Sequence, residues 1–104
     1  MKTKKEIRAH FNEVCRRRDK HKCVICGHMT DLDVHHIMDR HYFTNGGYVL
    51  QNGITLCKSH HLWAEMYHET NGQEHMPGMH PDDLYRMIGS SFDKAIEYDE
   101  KILS

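Results

Sequence analysis

The chain has 104 residues, 38% of them hydrophobic, with 14 Lys/Arg against 15 Asp/Glu, a formal net charge of −1 and a mean hydropathy of −0.76. That length suits one domain, but so little apolar material makes a thin core, and small domains of this kind lean on a structural metal or on disulfides. No run is long and apolar enough to span a membrane, and residues 1–22 are charged without the apolar stretch of a secretory signal, so a cytoplasmic, intracellular setting is expected.

In that setting cysteines stay reduced, and cysteines at two-residue spacing read as metal ligands rather than disulfides. The charge is uneven. Residues 1–26 carry nine Lys/Arg against three Asp/Glu, while residues 27–81 carry two against six and residues 82–104 three against six. A basic N-terminal arm on a neutral molecule suggests local phosphate contact; the alternative is an ordinary solvated helix face.

Thr3-Lys4-Lys5-Glu6 has the form of a capping box, and Ile7, Phe11, Val14 and Cys15 follow at helical spacing, so a helix is predicted from residue 4 to about 18 with those four on its buried face. Cys15 has no partner at ligand spacing and reads as a small core residue. Arg16, Arg17 and Arg18 suit the C-terminal end of that helix. Lys22-Cys23-Val24-Ile25-Cys26-Gly27 reads as a knuckle that presents two thiolates on a tight turn. Leu32 to Ile37 alternates as a short strand, 39–48 is a loop, and extended structure resumes at Tyr48-Val49-Leu50. Asn52-Gly53 turns or bulges it, and Ile54-Thr55-Leu56 leads into Cys57. Lys58 to about Glu69 reads as a helix with His61, Glu65 and His68 near one face and Leu62 and Met66 toward another. After a Gly- and Pro-rich stretch from Asn71, Pro81 opens a helix carrying Leu84, Tyr85, Met87 and Ile88. Gly89-Ser90-Ser91 interrupts it, and Phe92, Ile96, Ile102 and Leu103 suggest a last amphipathic helix.

Cys23-x-x-Cys26 and Cys57-x-x-His60 have the two-plus-two spacing of a structural zinc site. Four protein ligands leave no open coordination position, so this site is expected to be closed rather than catalytic. His28 competes with His60 for the fourth place but lies too close to Cys26 for the usual pairing. His35, His36, Asn52 and His61 are then left over.

The order His36, Asn52, His61 on a strand–loop–strand–helix frame, inside a cysteine-bearing knuckle, resembles the HNH endonucleases (ββα-metal or His-Me finger nucleases), and in particular small stand-alone phage-type members. The resemblance covers residues 23 to about 65. It implies an α+β fold with a ββα-metal core and a structural zinc knuckle, flanked by an N-terminal helix and C-terminal helices: one nuclease domain over 1–104 with its core at about 20–70 and a helical extension at about 80–104. It also implies roles. His35 would ligate a single divalent metal such as Mg²⁺, Mn²⁺ or Ni²⁺. His36 would be the general base, Asn52 would hold the loop and orient the His36 ring, and His61 would be the second metal ligand. Glu65 stands one helical turn beyond His61, where some members have a third ligand; a solvated helix residue is the other reading. The fourth knuckle ligand in such proteins is often Cys where this chain has His60.

The expected function is metal-dependent hydrolysis of DNA phosphodiester bonds, which needs an activated water, charge neutralisation and help for the leaving oxygen. The alternative is a zinc-knuckle module that binds nucleic acid or protein without cutting. An open catalytic zinc beside His-x-Glu is not written here. Arg40 and Lys58 are the nearest cations in sequence for the scissile phosphate, with His41 a loop-surface histidine close by. Arg16, Arg17, Arg18, Lys20 and Lys22 are expected to track the flanking backbone. No sequence-reading domain is visible, so specificity is expected to be low or to come from a protein partner or a second subunit, and a phage or mobile-element origin fits the resemblance.

Overall fold

A computed structural model of the chain describes residues 2–102; Leu103, assigned above to the last helix, lies outside the described residues. The first helix, α1 (Lys4–Arg18), starts on the expected capping box, with the Thr3 hydroxyl accepting from Glu6 N–H and the Glu6 carboxylate accepting from Thr3 N–H. Phe11 and Cys15 are its buried residues, while Ile7 and Val14 are only half-buried because the helix meets the rest of the protein along a narrow stripe. The chain reverses through Lys20 and His21, both at positive φ, and enters the knuckle.

Strand β1 (Leu32–His36) pairs antiparallel with β2 (Gly53–Cys57), with Leu32 opposite Cys57 and His36 opposite Gly53. Helix α2 (Lys58–Glu69) follows β2 without a loop. The stretch after Val49 departs from expectation. Val49 is extended, but Leu50–Asn52 form a short 3-10 turn, which lets Asn52 point inward just before β2 begins. Helix α3 (Pro81–Met87) opens on proline as expected, and α4 (Phe92–Lys101) follows the Gly89–Ser91 break. Among the described residues no helix is long and apolar enough to cross a membrane.

The hairpin is sandwiched. Alternation along β1 sends His35 to the α2 face and His36 to the α1 face. The α1 side comes so close to β2 that a Cβ on Gly53 would stand 2.5 Å from Cys15 Sγ and 2.7 Å from the Phe11 ring. That position is glycine because of the neighbouring helix. Cys15 is fully buried there, its thiol pushed up to about 12 by burial, and it belongs to neither ligand cluster described below. On the other side Ile37, Ile54, Leu56 and Ala64 join Leu84, Tyr85 and Ala95, so α3 and α4 complete the core.

Candidate active site and metal centres

Cys23 and Cys26 on the knuckle turn, Cys57 at the end of β2 and His60 in the first turn of α2 come together, with ligand atoms all within 4.8 Å of one another. Cys26 Sγ lies 3.8 Å from Cys57 Sγ, and His60 Nδ1 lies 3.6 Å from Cys23 Sγ and 3.2 Å from Cys57 Sγ. Two thiolates each ~2.3 Å from a tetrahedral zinc stand about 3.8 Å apart, and a thiolate and an imidazole about 3.6 Å. The donor set and spacing therefore fit a zinc knuckle. Burial raises the Cys23 thiol, but N–H groups of Cys26, Cys57 and Ile25 outweigh it and bring the thiol down to about 7, toward the thiolate that a metal needs. The Trp63 ring stands edge-on to His60 at 5.1 Å. His28 is elsewhere, its ring on the Thr30 hydroxyl.

A second cluster lies on the α2 face of the hairpin. Glu65 Oε1 is 3.1 Å from His35 Nδ1 and 3.2 Å from His61 Nε2, and the two imidazole rings are 5.1 Å apart. The helical repeat brings His61 and Glu65 to one face, and the β-register turns His35 toward them. Hydrogen bonds from His35 and His61 hold the Glu65 carboxyl far below the usual carboxylate range, and the bond to Glu65 raises the His61 pKa. Burial lowers that of His35. Asp33 Oδ2 lies 3.3 Å from the other nitrogen of His61, which orients that ring. One anionic and two imidazole donors at this spacing could hold a divalent cation. His68 packs beside His35, and its Nε2 donates to the Ile37 carbonyl at 3.1 Å.

His36 is placed differently. Strand β1 ends at this residue, yet its ring stays on the face opposite His35, between Phe11 and Tyr48 with both ring centres 4.7 Å away. Its Nε2 is buried without a hydrogen-bond partner. Asn52 does not orient this ring directly, which corrects the expectation drawn from the resemblance. All four of its side-chain hydrogen-bonding positions are occupied elsewhere. Oδ1 accepts from Met38 N–H and from the Tyr85 hydroxyl, and Nδ2 donates to the Met38 and Gly47 carbonyls. Asn52 thus staples both ends of the loop that leaves β1.

Two residues to which the sequence reading gave no role in the site complete that staple. The Tyr85 hydroxyl reaches Asn52 Oδ1 at 2.6 Å. Asp99, with no exposed surface, accepts from Asn45 N–H at 2.9 Å and Gly47 N–H at 2.8 Å. The available signal was spacing: Asp99 falls seven residues after Phe92 on the apolar stripe of α4, where a carboxylate without a partner would be costly. Asp99→Ala leaves two loop amides unsatisfied, each worth about 1–3 kcal/mol. Urea unfolding of the metal-loaded variant is therefore expected to show a loss of about 3 kcal/mol, and a loss below about 1 kcal/mol would contradict this account.

The basic residues divide. Arg18 is a structural residue and leaves the phosphate-tracking set, because its guanidinium chelates Asp19 at 2.7 and 2.9 Å and donates to the Leu50 carbonyl at 2.7 Å. Arg16 donates to the Leu32 carbonyl. Arg17 is exposed and pairs with Glu13, and Lys20, Lys22 and Lys58 are exposed. Arg40 and His41 lie on the loop after β1, with Arg40 Nη1 3.3 Å from the Tyr48 hydroxyl.

A hairpin that runs through a Cys/His cluster into a helix, with imidazole and carboxylate side chains on the hairpin–helix face, has the layout of a ββα-metal core, and its Cys/His cluster fits a zinc knuckle. The family model described as HNH endonuclease matches residues 23–68, from the first knuckle cysteine to the last turn of α2, so this part of the chain is similar to that family. Neither the curated proteins nor the solved structures gave a significant match.

Proposed function

We propose that the chain is a metal-dependent DNA endonuclease that hydrolyses phosphodiester bonds. The observation that carries this reading is the convergence of His35, His61 and Glu65 on one side of the hairpin, within the segment matched to the HNH endonucleases and separate from the four knuckle ligands. Their donor atoms fit a divalent cation such as Mg²⁺, Mn²⁺ or Ni²⁺, and the knuckle donors fit structural Zn²⁺. A cation held by the His35 set would neutralise the scissile phosphate and stabilise the leaving oxygen.

The remaining work falls to the chain's own groups. The His36 imidazole, beside the loop and next to Tyr48, is the group suited to take a proton from the attacking water. Asn52 and Asp99 hold the loop that follows His36. A second reading, a zinc-knuckle binding module without nuclease activity, draws on one specific observation: His36 and His35 face opposite sides of β1.

The two readings separate in one assay. Supercoiled plasmid is incubated with zinc-loaded protein and each divalent cation in turn, beside a His61→Ala variant of confirmed fold and zinc content. The endonuclease reading expects nicking or linearisation that depends on the added cation and falls by about 10²-fold or more in the variant. No cleavage by the zinc-loaded wild type with any cation would favour the binding module.

A further inference from the structure

Between α1 and the loop 39–48 lies an open cleft of about 630 Å³, lined by Lys4, Ile7, Arg8, Arg40, His41 and Tyr48 among others. This is a size that accommodates a small organic ligand. Its charge is unlike that of the chain as a whole: Lys4, Arg8 and Arg40 face it, with Asp39 the one acid in its lining. Tyr48 organises the cations. The Arg8 guanidinium carbon stands 5.6 Å from the centre of the Tyr48 ring, and Arg40 Nη1 lies 3.3 Å from the Tyr48 hydroxyl. Neither Arg8 nor Arg40 makes an ion pair with a carboxylate among the described residues, so both forks are free of acidic partners. Guanidinium groups set round one aromatic ring are suited to a phosphate with an attached planar group.

The same ring fixes where the cleft lies. Tyr48 touches the His36 ring edge-on, with centres 4.7 Å apart, so the cleft begins beside His36 on the face of the hairpin away from the His35, His61 and Glu65 set. We infer that this cleft holds one nucleotide of the substrate strand next to the cut, its phosphate between Arg8 and Arg40. The inference rests on the endonuclease reading and extends it: α1, outside the family-matched segment, would supply half of a substrate subsite.

The test is fluorescence anisotropy of a labelled DNA duplex over a KCl series, with zinc-loaded protein and no cation added for the second set, alongside plasmid cleavage with that cation. One phosphate shared by two arginines means that Arg8→Gln combined with Arg40→Gln lowers the slope of log K against log salt by about one and weakens binding roughly tenfold. Arg8→Gln alone, further from the loop, shifts both in the same direction. Lys94→Gln, an exposed charge change on α4, leaves both unchanged. A wild type that cuts plasmid, with a double variant of native melting temperature whose slope is unaltered, overturns the cleft and leaves the endonuclease reading standing. A wild type that neither binds nor cuts overturns both. Displacement of the duplex by micromolar mononucleotide would also overturn the inference, in favour of a free-nucleotide site; no displacement is expected.

Discussion

Removing the metal from Cys23, Cys26, Cys57 and His60 is expected to unfold the chain. These ligands come from the knuckle turn, the end of β2 and the start of α2, and a metal bound to all four would tie the three together. The apolar core is small, and three of its buried members belong to α3 and α4 rather than to the hairpin: Leu84, Tyr85 and Ala95. Zinc in small cysteine–histidine sites contributes on the order of 10–16 kcal/mol, against about 5–15 kcal/mol for the whole net stability of a domain. Far-UV circular dichroism after chelation should therefore lose the helical signal of α1, α2 and α4 and regain it when Zn²⁺ is returned. Cys57→Ser should behave like the chelated protein. A metal-free sample, verified by mass spectrometry, that keeps its helical signal would show that the packing of the helices suffices without the ion.

Replacing His36 is expected to have the largest effect on chemistry. Loss of a positioned general base costs roughly 10²–10⁴-fold in rate, so His36→Ala with retained zinc should cut plasmid at least about 10²-fold more slowly than wild type. Burial, then the neighbouring charges of His35 and Arg40, lowers the His36 pKa from 6.5 to about 4. In the folded protein the ring is therefore an unprotonated acceptor throughout the neutral range. The consequence for the rate has a sign: kcat/KM should stay level as pH falls through 6.5 and decline only toward about 4, provided zinc stays bound. The consequence for stability has a sign as well. The unfolded ring takes up its proton near 6.5 while the folded ring resists until about 4, so the folded state loses stability as pH falls through that window and gains nothing further above it. A wild-type acid limb near 6.5 that disappears in the variant would mean that His36 works from a more solvated position than the one between Phe11 and Tyr48.

Much of the fold was legible because its signals are local. A capping box, a proline at the first position of α3, and apolar spacing along α1 and α4 each act over a few residues, and the structure shows each of them. The 3-10 turn at Leu50–Asn52 was not legible. Tyr48-Val49-Leu50 has strand composition, but the tertiary demand that Asn52 reach Met38, Gly47 and Tyr85 bends the chain there. Arg18 was misread for a related reason. In sequence it is the third of three arginines, and only the approach of α1 to β2 shows that its fork is spent on Asp19 and on main-chain carbonyls.

Which side chains could act as ligands is the part that this sequence by itself indicated. Cys-x-x-Cys, Cys-x-x-His and the spacing of His61 and Glu65 are chemistry written in short intervals, and both clusters contain residues named from those intervals. The tertiary structure decided how these groups face one another. It put His35 and His36 on opposite faces of β1, turned Asn52 from the imidazole to the loop, and recruited Asp99 and Tyr85 from helices far along the chain. The reason is that strand register and helix packing depend on burial summed over the whole molecule, and a buried polar group must find its partner wherever the fold brings one.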